Sequence, residues 1–211
     1  MGNTLLLVNG SIRGPQGNTA RLLDEVRRCA TGHVEVREVV LATYEGTVES
    51  LADELRNADA VVFGTGVYWS SWGSPLQRFL EVMTAFEVSD IMLGKPAGVV
   101  VTMDSVGGSE VAQRLLGVLS MMGFLVPPLS MVVVSRVGTQ VRGVPGNEDV
   151  WQTEDVAPLV QNLVHAMRLD RAVWQAWPVE RTLSVSGAYP QAGVLDLGVP
   201  FFLAEDELPT V

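Results

Sequence analysis

A loop of glycine and polar residues, Gly10–Ala20 (GSIRGPQGNTA), is the stretch of this chain best suited to bind an anion. It follows an apolar run that ends at Val8 and precedes a segment in which Leu22, Leu23 and Val26 recur at helical spacing. Where a strand, a loop and a helix follow in this order, unpaired N–H groups at the helix start point outward and the helix dipole adds positive charge. The pattern therefore predicts a phosphate cradle.

The side chains of this loop supply further donors, from Ser11, Arg13, Asn18 and Thr19. Arg13 adds a full charge and a fork of N–H groups that suits phosphate. The loop contains no Lys and no G-x-G-x-x-G, so it is neither a Walker A loop nor a dinucleotide fingerprint. The alternative is an ordinary strand-to-helix turn in which Asn18 or Thr19 caps the helix.

An aromatic loop, Thr65–Ser74, follows the third predicted strand. Its Tyr68, Trp69 and Trp72 present flat apolar surfaces that can cover a planar ring. The alternative is that these rings pack in a core or an interface, where aromatic residues supply large buried area.

A third loop, Asp104–Ser109, contains Gly107 and Gly108, which allow backbone to approach a ligand closely. The alternative is a plain turn before a helix. A phosphate site at one end and ring surfaces at the other describe the cofactor FMN, and we expect the three loops to bind it.

The elements that must position these loops alternate between strand and helix. The predicted strands are Thr4–Asn9, Val34–Leu41, Ala60–Phe63, Ala97–Met103 and Phe124–Val134. The predicted helices are Asn18–Ala30, Val48–Asn57, Pro75–Phe86, Ser109–Met122 and a last one from Asp149 or Thr153 to Leu169, after an irregular stretch at Val137–Asp149. This order predicts an α/β fold, a flavodoxin-like doubly wound five-stranded parallel sheet with helices on both faces. The three loops then open on one edge of the sheet, where ligands of such folds bind.

The composition is that of one domain with an extension: 211 residues, 47% of them hydrophobic, with a net charge of −10. The only lysine is Lys95, so nucleic-acid binding is disfavoured. A single cysteine, Cys29, excludes an intrachain disulfide, and His33 and His165 lie too far apart in sequence to predict a metal site. Since neither a signal peptide nor a membrane-spanning run is evident, we expect a cytoplasmic protein.

Taken together, the motifs resemble those of the NADPH-dependent FMN reductase family of flavodoxin-like fold, over residues 4 to about 169. The matching positions of its phosphate loop are Gly10, Ser11, Arg13, Gly17, Asn18 and Thr19. Those of its V-Y-W/F loop are Val67, Tyr68, Trp69 and Ser70. Those of its Gly-Gly loop are Ser105, Gly107 and Gly108, directly after Asp104. The chain departs from the family pattern at Gly66, where proline is usual, and at Gln77, where lysine is frequent.

The resemblance implies an FMN-dependent oxidoreductase that passes hydride from NADH or NADPH to a small acceptor with ping-pong kinetics. It implies a homodimer, or else a tetramer, with the flavin near the interface. The acceptor is left open among a quinone, an azo or nitro compound, a flavin and a dedicated biosynthetic substrate. The alternative is a flavodoxin-type electron carrier that does not turn over nicotinamide. A serine hydrolase is disfavoured because the chain has no G-x-S-x-G elbow.

Roles follow for the matched residues. We expect Ser11, Arg13, Asn18 and Thr19 to hold the phosphate, and Tyr68 and Trp69 to flank the ring. Backbone groups of Ser105, Gly107 and Gly108 are expected to bond the pyrimidine side. No side chain is assigned a catalytic role.

The extension, residues 170–211, follows the predicted domain of residues 1–169. It contains Trp174, Trp177, Tyr189, Phe201 and Phe202, and then an acidic run, Glu205–Glu207. It is too apolar for a free tail. We expect an arm packed on its own domain or on a dimer partner, with a lid over the acceptor pocket as the alternative.

Overall fold

A computed structural model of the chain describes residues 2–140, 151–178 and 186–189. The strands are β1 (Thr4–Asn9), β2 (Glu35–Val40), β3 (Ala60–Gly66), β4 (Ala97–Met103) and β5 (Met131–Ser135). The helices are α1 (Asn18–Ala30), α2 (Val48–Arg56), α3 (Ser74–Met83), α4 (Gly108–Met121), α5 (Arg136–Gln140) and α6 (Val156–Ala166). None of these helices is both long and apolar enough to cross a membrane.

All strand pairs are parallel, and the strand order is β2-β1-β3-β4-β5. The expected flavodoxin-like sheet with helices on both faces is therefore confirmed. Successive residues of β1 face opposite sides of the sheet, and each side is covered by its own layer of helices. Leu5 and Leu7 pack towards α1 and α6, whereas Leu6 and Val8 pack towards α2, α3 and α4. Burial on both faces makes the central strands continuous apolar runs.

The register of the sheet places the strand ends side by side. Asn9 at the end of β1 lies opposite Gly64, and Gly66 at the end of β3 lies opposite Thr102. Met103 at the end of β4 lies opposite Ser135 at the end of β5. The loops that follow these four strands consequently share one edge of the sheet.

Several predicted bounds were wrong in an informative way. β3 continues to Gly66 instead of ending at Phe63, since Val100–Thr102 of β4 pairs with its last three residues. β5 begins at Met131, and only an isolated bridge at Leu125 marks the earlier start that was expected. Residues 137–140 are helical, not irregular, whereas the rest of that stretch lies outside the described residues.

Part of the C-terminal extension packs on its own domain at the amino edge of the sheet. The Arg171 guanidinium donates to the backbone oxygens of Leu93 at 3.0 Å and Asp90 at 2.6 Å. The Trp174 ring packs directly against Gly94. These contacts tie residues 171–174 to the segment that leads into β4.

A second part of the extension packs at the carboxyl edge, close to the loops after β2 and β3. Tyr189 is buried, its ring stands edge-on to Tyr44 at 5.7 Å, and its hydroxyl donates to the Pro75 oxygen at 3.4 Å. The Gly187 amide donates to the carboxylate of Glu49 at 3.1 Å. The expectations for Phe201, Phe202 and Glu205–Glu207 lie outside the described residues.

Lys95, which directly precedes β4 at the amino edge, is fully buried, and its ammonium group donates to the backbone oxygen of Leu55 at the end of α2. Burial, with a smaller contribution from the nearby Arg171 charge, lowers the pKa of Lys95 to about 7, against the opposing effect of Asp59 and Asp90. An unfolded chain restores the ordinary pKa of lysine, about 10.4.

This shift predicts a pH dependence of stability. Between about pH 7 and 10.4 the unfolded chain binds a proton at Lys95 that the folded chain lacks, so the free energy of unfolding rises with pH, by at most about 1.4 kcal/mol per pH unit. We expect Lys95→Met to remove this contribution. Urea unfolding of the wild type and of Lys95→Met at several pH values from 7 to 9.5 measures this contribution. Plots of the free energy of unfolding against pH that run parallel for the two proteins would contradict the prediction.

Candidate functional site

The loop between β1 and α1 is shaped by a buried side chain that sequence analysis did not single out. The Asn9 amide accepts from the Ser11 backbone N–H at 3.2 Å and donates to the Gly14 oxygen at 3.2 Å. Together these bonds fold the loop back on the end of β1. Asn9 at the strand terminus was the available signal, since short polar side chains commonly organise adjacent backbone.

The start of α1 leaves backbone donors available. Gly17 occupies the N-cap position without a side-chain cap, so the alternative in which Asn18 or Thr19 caps the helix was wrong. Within the described residues, the amides of Asn18 and Thr19 donate to no acceptor. The Thr19 hydroxyl instead hydrogen-bonds the Thr102 hydroxyl at 2.8 Å, which fixes α1 to the end of β4.

The aromatic loop forms a tight turn with unusual backbone angles. Tyr68 and Ser71 exchange backbone hydrogen bonds of 2.8 and 3.0 Å, while Trp69 and Ser70 between them have φ of 48° and 60°. Left-handed φ at both central positions is the type I′ pattern, which glycine and asparagine normally occupy. Such conformations cost about 1–3 kcal/mol each and cluster at functional sites.

Contacts from both sides hold this turn in place. Arg114 of α4 donates to the Ser70 oxygen at 2.9 Å and stacks its guanidinium over the Trp72 ring at 5.2 Å. The Trp72 indole N–H donates to Gln77 at 2.8 Å. At the base of the loop, the buried Thr65 hydroxyl accepts from the Gly73 amide at 2.9 Å.

A cavity of about 210 Å³ lies at the carboxyl edge where these loops meet, and we call it the first cavity. Its lining residues are Ser11, Arg13, Gly17, Asn18, Thr19, Gly66, Val67, Tyr68, Thr102, Met103, Asp104 and Arg136. Eight of the thirteen predicted cofactor residues are thus brought together. The Ser11 and Tyr68 hydroxyls lie 3.4 Å apart, so the loop between β1 and α1 is in direct contact with the aromatic loop.

The other five predicted residues do not line this cavity. Trp69, fully exposed, and Ser70 form the tip of the turn. Gly107, with φ of 87°, caps α4, and a side chain there would lie 3.7 Å from Val67 and 3.9 Å from Ser70. The loop that contains Ser105, Gly107 and Gly108 therefore adjoins the aromatic turn beyond the cavity, and the roles expected of these residues stay predictions.

Lining residues that sequence analysis missed come mostly from strand ends. Gly66, Thr102 and Met103 close β3 and β4, and the register of these strands carries their side chains or backbone to the cavity. Arg136 follows β5 and pairs with Asp104 at 2.5 Å. The rule that ligands bind beyond the carboxyl ends of strands was the signal that could have found them.

The residues present fit a phosphorylated flavin. Hydroxyls from Ser11 and Thr19, the guanidinium of Arg13 and the available amides at the start of α1 form a donor set for an oxyanion. Position 17 is a glycine, and a Cβ there would lie 3.0 Å from the Cβ of Arg13. Because Gly17 has no side chain, a ligand can approach the backbone at this position closely. Tyr68 and Val67 supply ring-sized apolar surface a short distance away.

The strand order and this edge site define a flavodoxin-like α/β protein. The family model of the NADPH-dependent FMN reductases matches residues 3–139, and the chain belongs to that family. It is accordingly an NAD(P)H-dependent flavin oxidoreductase that uses FMN.

Solved structures support the fold at low identity. RosB, with bound 8-demethyl-8-formylriboflavin-5′-phosphate, is similar with a TM-score of 0.64 at 18% identity, over 79% of each chain. An oxidoreductase from Corynebacterium diphtheriae has a TM-score of 0.64 at 19% identity, over 79% of this chain and 97% of its own. The apo form of the NADH:FMN oxidoreductase EMOB has a TM-score of 0.59 at 17% identity, over 83% of this chain and 92% of its own. No curated protein sequence matches the chain.

Proposed function

We propose that this protein transfers hydride from NADH or NADPH to a small acceptor by way of FMN held in the first cavity. The observation that carries the proposal is the convergence of an oxyanion donor set and Tyr68 at one edge of the sheet. When bound, FMN supplies the hydride chemistry, and the protein supplies placement and electrostatics.

The chain's own groups have separable tasks in this proposal. Arg13, Ser11 and the amides of Asn18 and Thr19 bind and neutralise the phosphate. The turn held by Arg114 orients Tyr68 beside the ring and keeps water from that side. No side chain of the described cavity is required to move a proton.

Two of the structural neighbours support this reading through what they bind or do. RosB holds a phosphorylated riboflavin derivative, and EMOB is described as an NADH:FMN oxidoreductase.

We also propose a homodimer. Trp69 and Val106, which are 101% and 77% exposed, present apolar surface on adjoining loops beside the cavity.

Anaerobic absorption spectroscopy tests the function. We expect the purified protein, loaded with FMN, to lose its flavin absorbance on addition of NADPH or NADH and to regain it when a quinone is added. A flavodoxin-type carrier would bind FMN but keep its absorbance with either nicotinamide. Failure to take up FMN supplied in excess would contradict the proposal at its first step.

A further inference from the structure

The first turn of α3 connects the two loops that form the first cavity. This turn directly follows the aromatic loop and also contacts the start of the loop between β1 and α1. A Cβ at Gly10 would lie 2.5 Å from the Cβ of Leu76, and one at Gly73 would lie 2.7 Å from the Gly10 oxygen. Because so tight a contact transmits small shifts, movement of this turn changes the separation of the Ser11 and Tyr68 hydroxyls, which is 3.4 Å.

The end of β2 and the turn after it support the cavity from a second direction. A Cβ at Gly14, in the loop between β1 and α1, would lie 3.3 Å from Cγ1 of Val40 and 3.6 Å from the Cβ of Ala42. The Gly14 oxygen is also the acceptor of the Asn9 amide, which folds the loop back on β1. The position of this loop, and of Arg13 within it, therefore depends on where the segment after β2 lies.

Tyr189 of the C-terminal extension contacts both of these supports. It is 3% exposed, and its hydroxyl donates to the Pro75 oxygen in the first turn of α3 at 3.4 Å. Its ring stands edge-on to Tyr44 at 5.7 Å, and its amide donates to the Gly46 oxygen at 3.0 Å, both in the segment between β2 and α2. Tyr189 does not line the first cavity, so its effect on a ligand there passes through these two supports.

The residues before Tyr189 attach it to the start of α2. The Val48 amide donates to the Gly187 oxygen at 2.8 Å, and the Gly187 amide donates to the carboxylate of Glu49 at 3.1 Å. These bonds fix the backbone next to the ring, so Tyr189 enters the core in a defined orientation.

We propose that Tyr189 is a positioning residue for the FMN cavity, so that the C-terminal extension forms part of the cofactor site. Tyr189 holds the first turn of α3 and the segment between β2 and α2 in the arrangement that brings Ser11 and Tyr68 together. This inference rests on the proposed function, because it takes the first cavity to be the FMN site. By linkage, a contact that favours cofactor binding is itself strengthened when the cofactor is bound.

Titration of the apoprotein with FMN tests the inference in wild type, Tyr189→Ala and Tyr189→Phe. We expect the dissociation constant of FMN to rise about tenfold in Tyr189→Ala, which is within the usual range of coupling between two sites. Tyr189→Phe keeps the ring that packs against Tyr44 and should restore most of the affinity.

Trp174→Ala is the matched control, because it removes the ring that packs the same extension against Gly94 at the amino edge. Trp174 lines a second cavity, of about 150 Å³, which shares no lining residue with the first one. This variant should bind FMN as the wild type does.

Hydrogen exchange of the wild-type protein tests the same coupling without a substitution. The Tyr189 amide should exchange about tenfold more slowly at saturating FMN than in the apoprotein. The Trp174 amide, which donates to the Arg171 oxygen at 3.2 Å, should exchange at the same rate in both. An unchanged rate at Tyr189, or equal slowing at the two amides, would overturn the inference, since a purely structural contact does not respond selectively to FMN.

The binding data also separate this inference from the proposed function, because neither measurement uses a nicotinamide. Wild-type FMN affinity in folded Tyr189→Ala, or an equal loss of affinity in Trp174→Ala, would overturn the inference alone. A loss confined to Tyr189→Ala, in a protein whose bound FMN is reduced by neither NADH nor NADPH, would contradict the proposed function and leave the role of Tyr189 supported.

Discussion

Arg13→Ala is expected to raise the dissociation constant of FMN by about 10- to 100-fold, because a hydrogen bond to a charged group contributes about 1.5–3 kcal/mol. Arg13 lines the first cavity beside Ser11 and the start of α1, and it is the cation that the β1–α1 loop itself supplies. Removal leaves the hydroxyls and amides in place but takes away the charge that balances a phosphate dianion.

Titration of apoprotein with FMN, followed by quenching of flavin fluorescence, measures this effect. Gln16→Ala is the matched control, since Gln16 is an exposed residue of the same loop that does not line the cavity. It should bind FMN as the wild type does. Wild-type affinity in Arg13→Ala would show that the phosphate lies elsewhere.

Gly73→Ala should weaken both the fold and the site. A Cβ at Gly73 would lie 2.7 Å from the backbone oxygen of Gly10, a contact that real Cβ atoms do not make. The backbone of Gly73 has φ of −66°, which alanine adopts readily, so the cost comes from the collision alone. Neither the new Cβ nor the Gly10 oxygen belongs to a flexible side chain that could move aside. The loop between β1 and α1 and the aromatic loop must therefore separate. We expect a loss of about 1–3 kcal/mol in the free energy of unfolding, as overpacking typically costs, together with weaker FMN binding.

Gly117→Ala provides the matching substitution at a position with open space. Gly117 lies inside α4, and a Cβ there meets nothing within 4 Å. This variant should gain about 0.5–1 kcal/mol from helix propensity and bind FMN normally. Urea unfolding of the two variants and the wild type measures both effects. Undiminished stability in Gly73→Ala would show that the two loops are not in contact as described.

The sequence predicted much of the fold because its strongest patterns coincide with central elements. The bounds of β1, α1 and β4 were predicted to the residue, since each is an apolar or amphipathic run between polar or glycine-rich loops. The end of β3 was missed because its Gly-Thr-Gly sequence resembles a loop, and pairing with β4 overrides that local preference. α5 was missed for a similar reason. Its sequence, RVGTQ, has low helix propensity, and its first turn is held by the Asp104 oxygen, which accepts from the Val137 amide at 3.1 Å.

The site was predictable in its chemistry more than in its geometry. Ser11, Arg13 and Tyr68 were recognisable from residue type and position in the strand–loop–helix order, and the cavity contains all three. Tyr68 and Trp69 are adjacent aromatic residues and are indistinguishable in a sequence pattern. Only the left-handed backbone at Trp69 turns that ring outward while Tyr68 faces inward. Thr102 and Arg136 became visible only through strand register, which depends on tertiary pairing.

The solitary lysine has a practical corollary for chemical labelling. Acylating reagents that modify amines find no lysine side chain on the surface of the native fold, because Lys95 is enclosed between the end of α2 and the start of β4. That side chain can therefore be acylated only when the amino edge of the sheet opens transiently. A mass-spectrometric time course of this one modification would follow such openings without an introduced probe.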